Sequence, residues 1–208
     1  MRRRYGWLAS IYDWANLEGL LYADARACAI ELLGLRPGAR VLDVACGTGA
    51  NFALIEARIG PSGELVGIDL TQRMLDRARG RIASEGWRNV RLREGDVCEL
   101  DVGDAGGPFD AALCTLGLSV IPQWQRAWEA MKAAVRPGGR LAIMDAGYPE
   151  DRAGITLARP VAWALSRLFA ADCSRRPWRL LQRDAHDART ERFALGWVTA
   201  AAGTPATA

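Results

Sequence analysis

Lysine is almost missing from these 208 residues: Lys132 is the only one, so nearly all of the 27 basic residues are arginine. Against 24 acids the net charge is +3. That balance gives no case for a nucleic-acid surface, and the arginine excess reads as compositional bias. Histidine is as scarce, with His186 alone, and the cysteines at 28, 46, 98, 114 and 173 form no C-x-x-C pair. A zinc site therefore lacks raw material, and no metal is expected. An odd number of unclustered cysteines fits small buried thiols in a reducing compartment. Long apolar runs are absent too: Arg159 and Arg167 interrupt the best candidate before it reaches the ~18 residues a spanning helix needs. Met1-Arg2-Arg3-Arg4 leads into no continuous apolar core of the signal-peptide kind. The expectation is a cytoplasmic protein, at most peripheral at the inner membrane face.

Half of the residues are hydrophobic and a quarter charged, and a chain of this length can bury a full core as one domain. Helical spacing of Tyr5, Leu8, Ile11, Tyr12, Ala15, Ala25, Ala29 and Leu33 predicts helix across 5–33. A turn at 35–40 then delivers the chain to a strand at Val41–Val44. Further strands are predicted at Glu64–Asp69, Val90–Glu94, Phe109–Cys114 and Arg140–Asp145. Helices fall between them at Asn51–Ile59, from a Thr71 cap to Glu85, and around Trp124, Trp128 and Met131. Strand alternating with helix at this rhythm means a parallel sheet covered on both faces. Beyond Asp145 the rhythm loosens to one helix, Ile155–Ala171, and two short strands, Glu191–Gly196 and Trp197–Ala202.

The chemistry is concentrated at Val41-Leu42-Asp43-Val44-Ala45-Cys46-Gly47-Thr48-Gly49. A strand runs into a glycine turn and then a helix, the local architecture of a nucleotide-sized cofactor site. The turn leaves no side chain between loop and ligand, and Asp43 is expected to point its carboxylate into the same space. Phe52 stands near the place where a dinucleotide fingerprint needs its third glycine, which argues against hydride transfer. Asp69 ends the second strand twenty residues past Gly49, the distance at which a strand-end acid takes ribose hydroxyls; the alternative is a cap for the following helix. Gly95-Asp96-Val97 follows the third strand.

These segments, in order, resemble the class I S-adenosylmethionine-dependent methyltransferases. Val41–Gly49 resembles their motif I, Gly95-Asp96-Val97 their adenine-binding turn, Phe109–Thr115 their motif IV, and Arg136-Pro137-Gly138-Gly139 the turn leading into their fifth strand. The resemblance implies a Rossmann-like α/β fold. Its doubly wound sheet would have seven mostly parallel strands, an antiparallel last strand, and helices on both faces. It implies S-adenosylmethionine as cofactor, held by Asp43, Ala45, Cys46, Gly47, Gly49, Asp69, Leu70, Met74, Gly95, Asp96, Val97 and Thr115. It also divides the single domain into amino-terminal lid helices (1–36), a cofactor core (37–145), a substrate-side insertion (146–187) and a terminal hairpin (188–202).

Tyr5-x-x-x-Ala9-x-x-Tyr12-Asp13 resembles an amino-terminal signature of the small-molecule members, which implies Tyr12 at the reaction centre; packing of the helix on the sheet is the alternative. The core resembles both the quinone-biosynthesis C-methyltransferases and small bacterial lipid N-methyltransferases. Leu118–Trp124 favours the lipid group, so the expected acceptor is a phosphatidylethanolamine-type amine, with a quinone precursor or other small molecule as alternative. Arg2–Arg4 beside Trp7 and Trp14 suggests membrane contact through residues 1–14. Arg175, Arg176 and Arg179 around Trp178 form a second basic-aromatic cluster suited to anionic headgroups. Tyr5, Ser119, Tyr148, Arg175 and Arg176 are the expected acceptor contacts.

Overall fold

A computed structural model describes residues 17–149 and 171–206. The predicted helix at 155–171 and the segment 1–14 fall almost wholly or wholly outside those residues. Over the described residues the elements are α1 (Leu17–Leu32), β1 (Arg40–Val44), α2 (Phe52–Ile59), β2 (Glu64–Asp69), α3 (Gln72–Glu85), β3 (Val90–Glu94) and β4 (Phe109–Thr115). They continue with α4 (Trp124–Ala134), β5 (Val135–Ala146), α5 (Trp178–Asp184), β6 (Arg189–Phe193) and β7 (Val198–Gly203).

The strands form one seven-stranded sheet in the order β3-β2-β1-β4-β5-β7-β6. β1 to β5 run parallel, while β7 is antiparallel to both β5 and β6. Strand alternation decides which face each residue covers. Leu42, Val44, Ala112, Cys114, Leu141 and Ile143 pack under Trp128 and Met131 of α4 and Trp178 and Leu181 of α5. Their neighbours Val41, Leu65, Ala111, Leu113 and Ala142 face the other way, under Ile30, Phe52, Ile55, Ile59 and Leu75. Ala25 and Ala29 of α1 join Met144, Val198 and Ala200, which fixes α1 over the β5–β7 side.

Four local expectations are corrected. The fifth strand starts at Val135, and the Arg136–Gly139 turn lies within it as an irregularity: Phe109 pairs Val135, then Ala111 pairs Arg140. Thr71 occupies the cap position of α3 without a side-chain cap bond; its N–H donates instead to Asp69 Oδ1 at 2.8 Å. The sixth strand begins two residues and ends three residues before its predicted place and the seventh lies one residue later, because Ala194 and Leu195 adopt φ of 48° and 56° before Gly196 and use up chain in the turn. The stretch 175–179 contains the start of a helix, and Trp178 is 2% exposed. It is core, so the displayed basic-aromatic cluster expected there does not exist in that form.

Candidate active site

Strand order reverses between β1 and β4, and in open parallel sheets the crevice outside the carboxyl ends at that point receives the ligand. The backbone is unusual on both sides of it. Ala45 after β1 has φ 53° and Leu116 after β4 has φ 56°, conformations that cost a non-glycine residue about 1–2 kcal/mol. Such strain persists only where the surroundings impose it, and it gathers at functional sites. Gly117 lets the two sides meet: a Cβ there would stand 2.9 Å from Ala45 Cβ and 2.5 Å from Cys114 Sγ.

The loop after β1 is tied down through its amides. Cys46 N–H donates to the Ile68 carbonyl at 3.0 Å, Gly47 N–H to Asp69 Oδ2 at 2.9 Å, and Gly49 N–H to the Cys46 carbonyl at 3.0 Å. Gly49 turns at φ 77°, and a Cβ on it would lie 2.6 Å from the Phe52 ring. Burial pushes the Asp69 carboxyl above its ordinary range, while the amides of Thr71 and Gly47 pull it back. Gly95 N–H donates to the Asp69 carbonyl at 3.0 Å, so the turn after β3 shares this edge. There Asp96 is exposed and accepts Cys98 N–H at 2.9 Å, with Val97 buried behind it. Leu70, 36% exposed, and Met74, buried on α3, stand between these two acids in the chain.

Asp43 departs from the expectation. It is fully buried, and both of its oxygens accept Asn51 Nδ2, at 2.8 and 2.9 Å. Asn51 also donates to Thr115 Oγ1 at 3.1 Å, and Arg26 of α1 donates Nη1 to Asn51 Oδ1 at 2.7 Å and to Thr115 Oγ1 at 3.0 Å. Asp43 and Thr115 therefore lie in a polar network beneath the loop and do not face open space. Burial pushes Asp43 up to about 7, against the Asn51 hydrogen bond and the Arg26 charge. Sequence reasoning missed Arg26 and Asn51. Arg26 is the one basic residue in the alanine-rich stretch Ala23–Ala29, which was its available sign, and Asn51 gave none.

A second buried carboxylate braces the opposite wall. Asp145 at the end of β5 accepts Ser119 N–H at 2.9 Å and Ala146 N–H at 2.8 Å, and burial pushes it up to about 6 despite hydrogen bonds from Ser119 and Ala146. Ser119 is 2% exposed and serves this anchor, which revises its expected acceptor contact. Arg175 is revised for a similar reason: it donates to the carbonyls of Ile121 at 2.6 Å and Leu118 at 3.2 Å, and to Asp172 at 3.1 Å. Its charge fastens the segment after β4. The Tyr148 ring meets Trp197 edge-on at 5.7 Å. Arg176 lines a surface groove of about 460 Å³ with Trp124, Arg179, Leu180 and Arg183. Tyr5 and Tyr12 lie outside the described residues. Among the described residues the cysteines are free, and no group of His, Cys, Asp or Glu is arranged to hold a metal.

A seven-stranded sheet with this order, a glycine loop after β1 and acids after β2 and β3 define a class I S-adenosylmethionine-dependent methyltransferase domain. Residues 41–139 match the family described as a methyltransferase domain. An arsenite methyltransferase of Halobacterium salinarum is 34% identical over 148 residues, 69% of this chain and 36% of that protein. A ubiquinone/menaquinone biosynthesis C-methyltransferase of Ectopseudomonas mendocina is 34% identical over 145 residues, 68% of this chain and 56% of that protein. A demethylmenaquinone methyltransferase of Listeria monocytogenes is 31% identical over 140 residues, 66% and 58%. The chain thus spans 36% to 58% of the length of these relatives. A methyltransferase structure from Aquifex aeolicus superposes with TM-score 0.68 at 18% identity, covering 97% of this chain and 98% of that one, a likeness of fold. Residues 41–139 thus make up an S-adenosylmethionine-dependent methyltransferase domain, and S-adenosylmethionine is the cofactor that such a domain takes. No helix among the described residues is long and apolar enough to cross a membrane.

Proposed function

We propose that the chain transfers a methyl group from S-adenosylmethionine to a small-molecule acceptor of the quinone-precursor class. The observation that carries this reading is the similarity, over about two thirds of the chain, to quinone-methylating enzymes, joined to a glycine loop tied to Asp69 and the Gly95 turn at one edge of the sheet. Bound there, the cofactor supplies a methyl already activated on a sulfonium, so the protein has to position, desolvate and accept a proton. In this reading Asp69 takes the ribose hydroxyls and Asp96 accepts from the adenine amino group. Leu70, Met74, Gly95 and Val97 border the base, and the backbone of Ala45, Cys46, Gly47 and Gly49 lies along the amino-acid part. Asp43 and Thr115 contribute from below, by holding Asn51.

Tyr12 is the proposed proton-handling group at the acceptor, within a lid formed by residues 1–36, and the insertion 146–187 walls the acceptor side of what is one domain. A lipid amine is the less supported acceptor. Its physical argument rested partly on Trp178 and Arg175, and both are engaged internally. An arsenite-like substrate would want accessible thiolates, whereas burial raises all five thiols, Cys46 and Cys114 well above their ordinary range and Cys28, Cys98 and Cys173 as well.

The test is label transfer. With methyl-labelled cofactor, a mixture of a demethylated naphthoquinol and phosphatidylethanolamine vesicles should give label in the quinol alone. Label in the phospholipid would sink the quinone reading in favour of the lipid one. Replacing Tyr12 by Phe should reduce turnover while leaving cofactor affinity unchanged; equal turnover would remove Tyr12 from the reaction centre.

A further inference from the structure

The helix preceding β1 reaches the floor of the cofactor crevice through one buried cation. Arg26, 7% exposed, sits between the apolar contacts of α1: Ala25 and Ala29 face β5 and β7, and Ile30 packs with Phe52 and Ile55. Its Nη1 donates to the Asn51 side-chain oxygen Oδ1 at 2.7 Å, and this leaves Asn51 Nδ2 to donate to Asp43. Because Asn51 cannot donate through its oxygen, the arginine fixes which way round the Asn51 amide stands. Asn51 directly precedes α2, so the same bond holds the end of the glycine loop. A charge taken this far from water is costly unless it is paired and hydrogen-bonded, and the network meets that condition. No buried side-chain nitrogen or oxygen among the described residues lacks a partner.

We propose that Arg26 is a positioning residue for methyl transfer: by orienting Asn51 and balancing Asp43, it couples α1 to the cofactor loop. Among the described residues the charged and titratable groups around Asp43 are few. Arg26 comes from α1, Asp69 from β2, Cys46 from the loop and Cys114 from β4. Burial raises both thiols, so they stay neutral near pH 7. Asp69 opposes ionisation of Asp43 and Arg26 favours it. Removing the cation therefore moves Asp43 ionisation to higher pH, an effect that simple space-filling by Arg26 would not produce.

The cofactor half of this inference rests on the proposed function; the loop half does not. The experiment pairs two measurements on the full chain. In Arg26→Met, the amides of Cys46, Gly47 and Gly49 should exchange with solvent about tenfold faster than in the parent, with those of β6 and β7 unchanged. S-adenosylhomocysteine binding, followed from pH 6 to 9, should weaken about tenfold, with its pH midpoint displaced upward. Arg26→Lys should return the midpoint, because it restores the charge, but only part of the affinity, because it lacks the fork. If Arg26→Met does not fold, the double variant Arg26→Met/Asp43→Asn removes both buried charges, and its cofactor binding should lose the pH dependence. Parent-like loop exchange in the folded variant, or an unmoved midpoint in either charge-removing variant, would overturn the coupling. Failure of the parent chain to bind S-adenosylhomocysteine would overturn the cofactor reading, and loop exchange would still decide the role of Arg26.

Discussion

Asp69 Oδ2 accepts the Gly47 N–H at 2.9 Å, so the carboxylate ending β2 and the glycine loop after β1 are held as one unit. The same carboxylate accepts Thr71 N–H at 2.8 Å and so also starts α3. The two readings of this acid, ribose ligand and helix starter, need not compete, since a carboxylate has acceptor capacity beyond two bonds.

Replacing Asp69 by Ala should leave the sheet folded and weaken cofactor binding. Hydrogen bonds to charged groups are worth ~1.5–3 kcal/mol, so the expected loss in S-adenosylhomocysteine affinity is roughly tenfold to a hundredfold by titration calorimetry. An affinity within twofold of the parent would remove Asp69 from the site.

Gly49→Ala should damage the loop more locally. Its φ of 77° disfavours any Cβ, and the new methyl would meet the Phe52 ring at 2.6 Å. Phe52 is itself fully buried and cannot retreat without opening the core. The expected cost is ~2 kcal/mol or more of stability in urea unfolding, with cofactor affinity falling alongside. A variant as stable as the parent would show that the loop adopts another path.

Strands β2 and β3 begin and end where their residues place them: β2 is a short buried run bounded by turn residues, and in β3 the apolar Val90 and Leu92 alternate with Arg91 and Arg93. The cofactor edge was legible for a related reason: glycines and acids at strand ends are rare enough to stand out. What could not be read was orientation. Nothing local says whether Asp43 looks out to ligand or down to Asn51; that depends on Arg26, distant in sequence and delivered by a helix on another part of the sheet. Trp178 shows the opposite failure. Arginines on either side made Arg175–Arg179 look exposed, yet Trp178 and Leu181 of α5 bury themselves against the sheet. Basic flanks report charge density, while the spacing of Trp178, Leu180 and Leu181 reports the buried face.

Trp178→Ala should consequently act on stability. Its ring is almost fully covered, and the loss of a buried tryptophan side chain costs about 3–5 kcal/mol. Urea denaturation should show that loss, and vesicle flotation of the folded protein should be unchanged. Parent stability together with weakened flotation would restore Trp178 as a membrane contact.

The two buried carboxyls give the chain an unusual pH dependence. Burial holds Asp43 up to about 7 and Asp145 up to about 6, against ~4 for an ordinary aspartate in the unfolded chain. Between those limits the native state keeps protons that the unfolded state has released. Stability from these groups is thus fullest near pH 4 and is lost as pH rises, by about 1.4 kcal/mol per pH unit for each group inside its window. Asp187 has the opposite sign: burial opposes ionisation, but the Thr204 amide and Arg140 outweigh it and hold the carboxyl down to about 2, so its contribution is lost as pH falls below ~4. Urea unfolding from pH 3 to 9 should therefore show a maximum on the acid side of neutrality and a decline that levels off above about 7. Asp145→Asn should make the decline between pH 4 and 6 shallower. It should also cost ~1–3 kcal/mol at pH 8, because an amide cannot accept the N–H groups of both Ser119 and Ala146 as the carboxylate does. A stability that climbs steadily from pH 4 to 7 would mean that Asp43 and Asp145 titrate as ordinary surface acids, and the buried network would have to be abandoned.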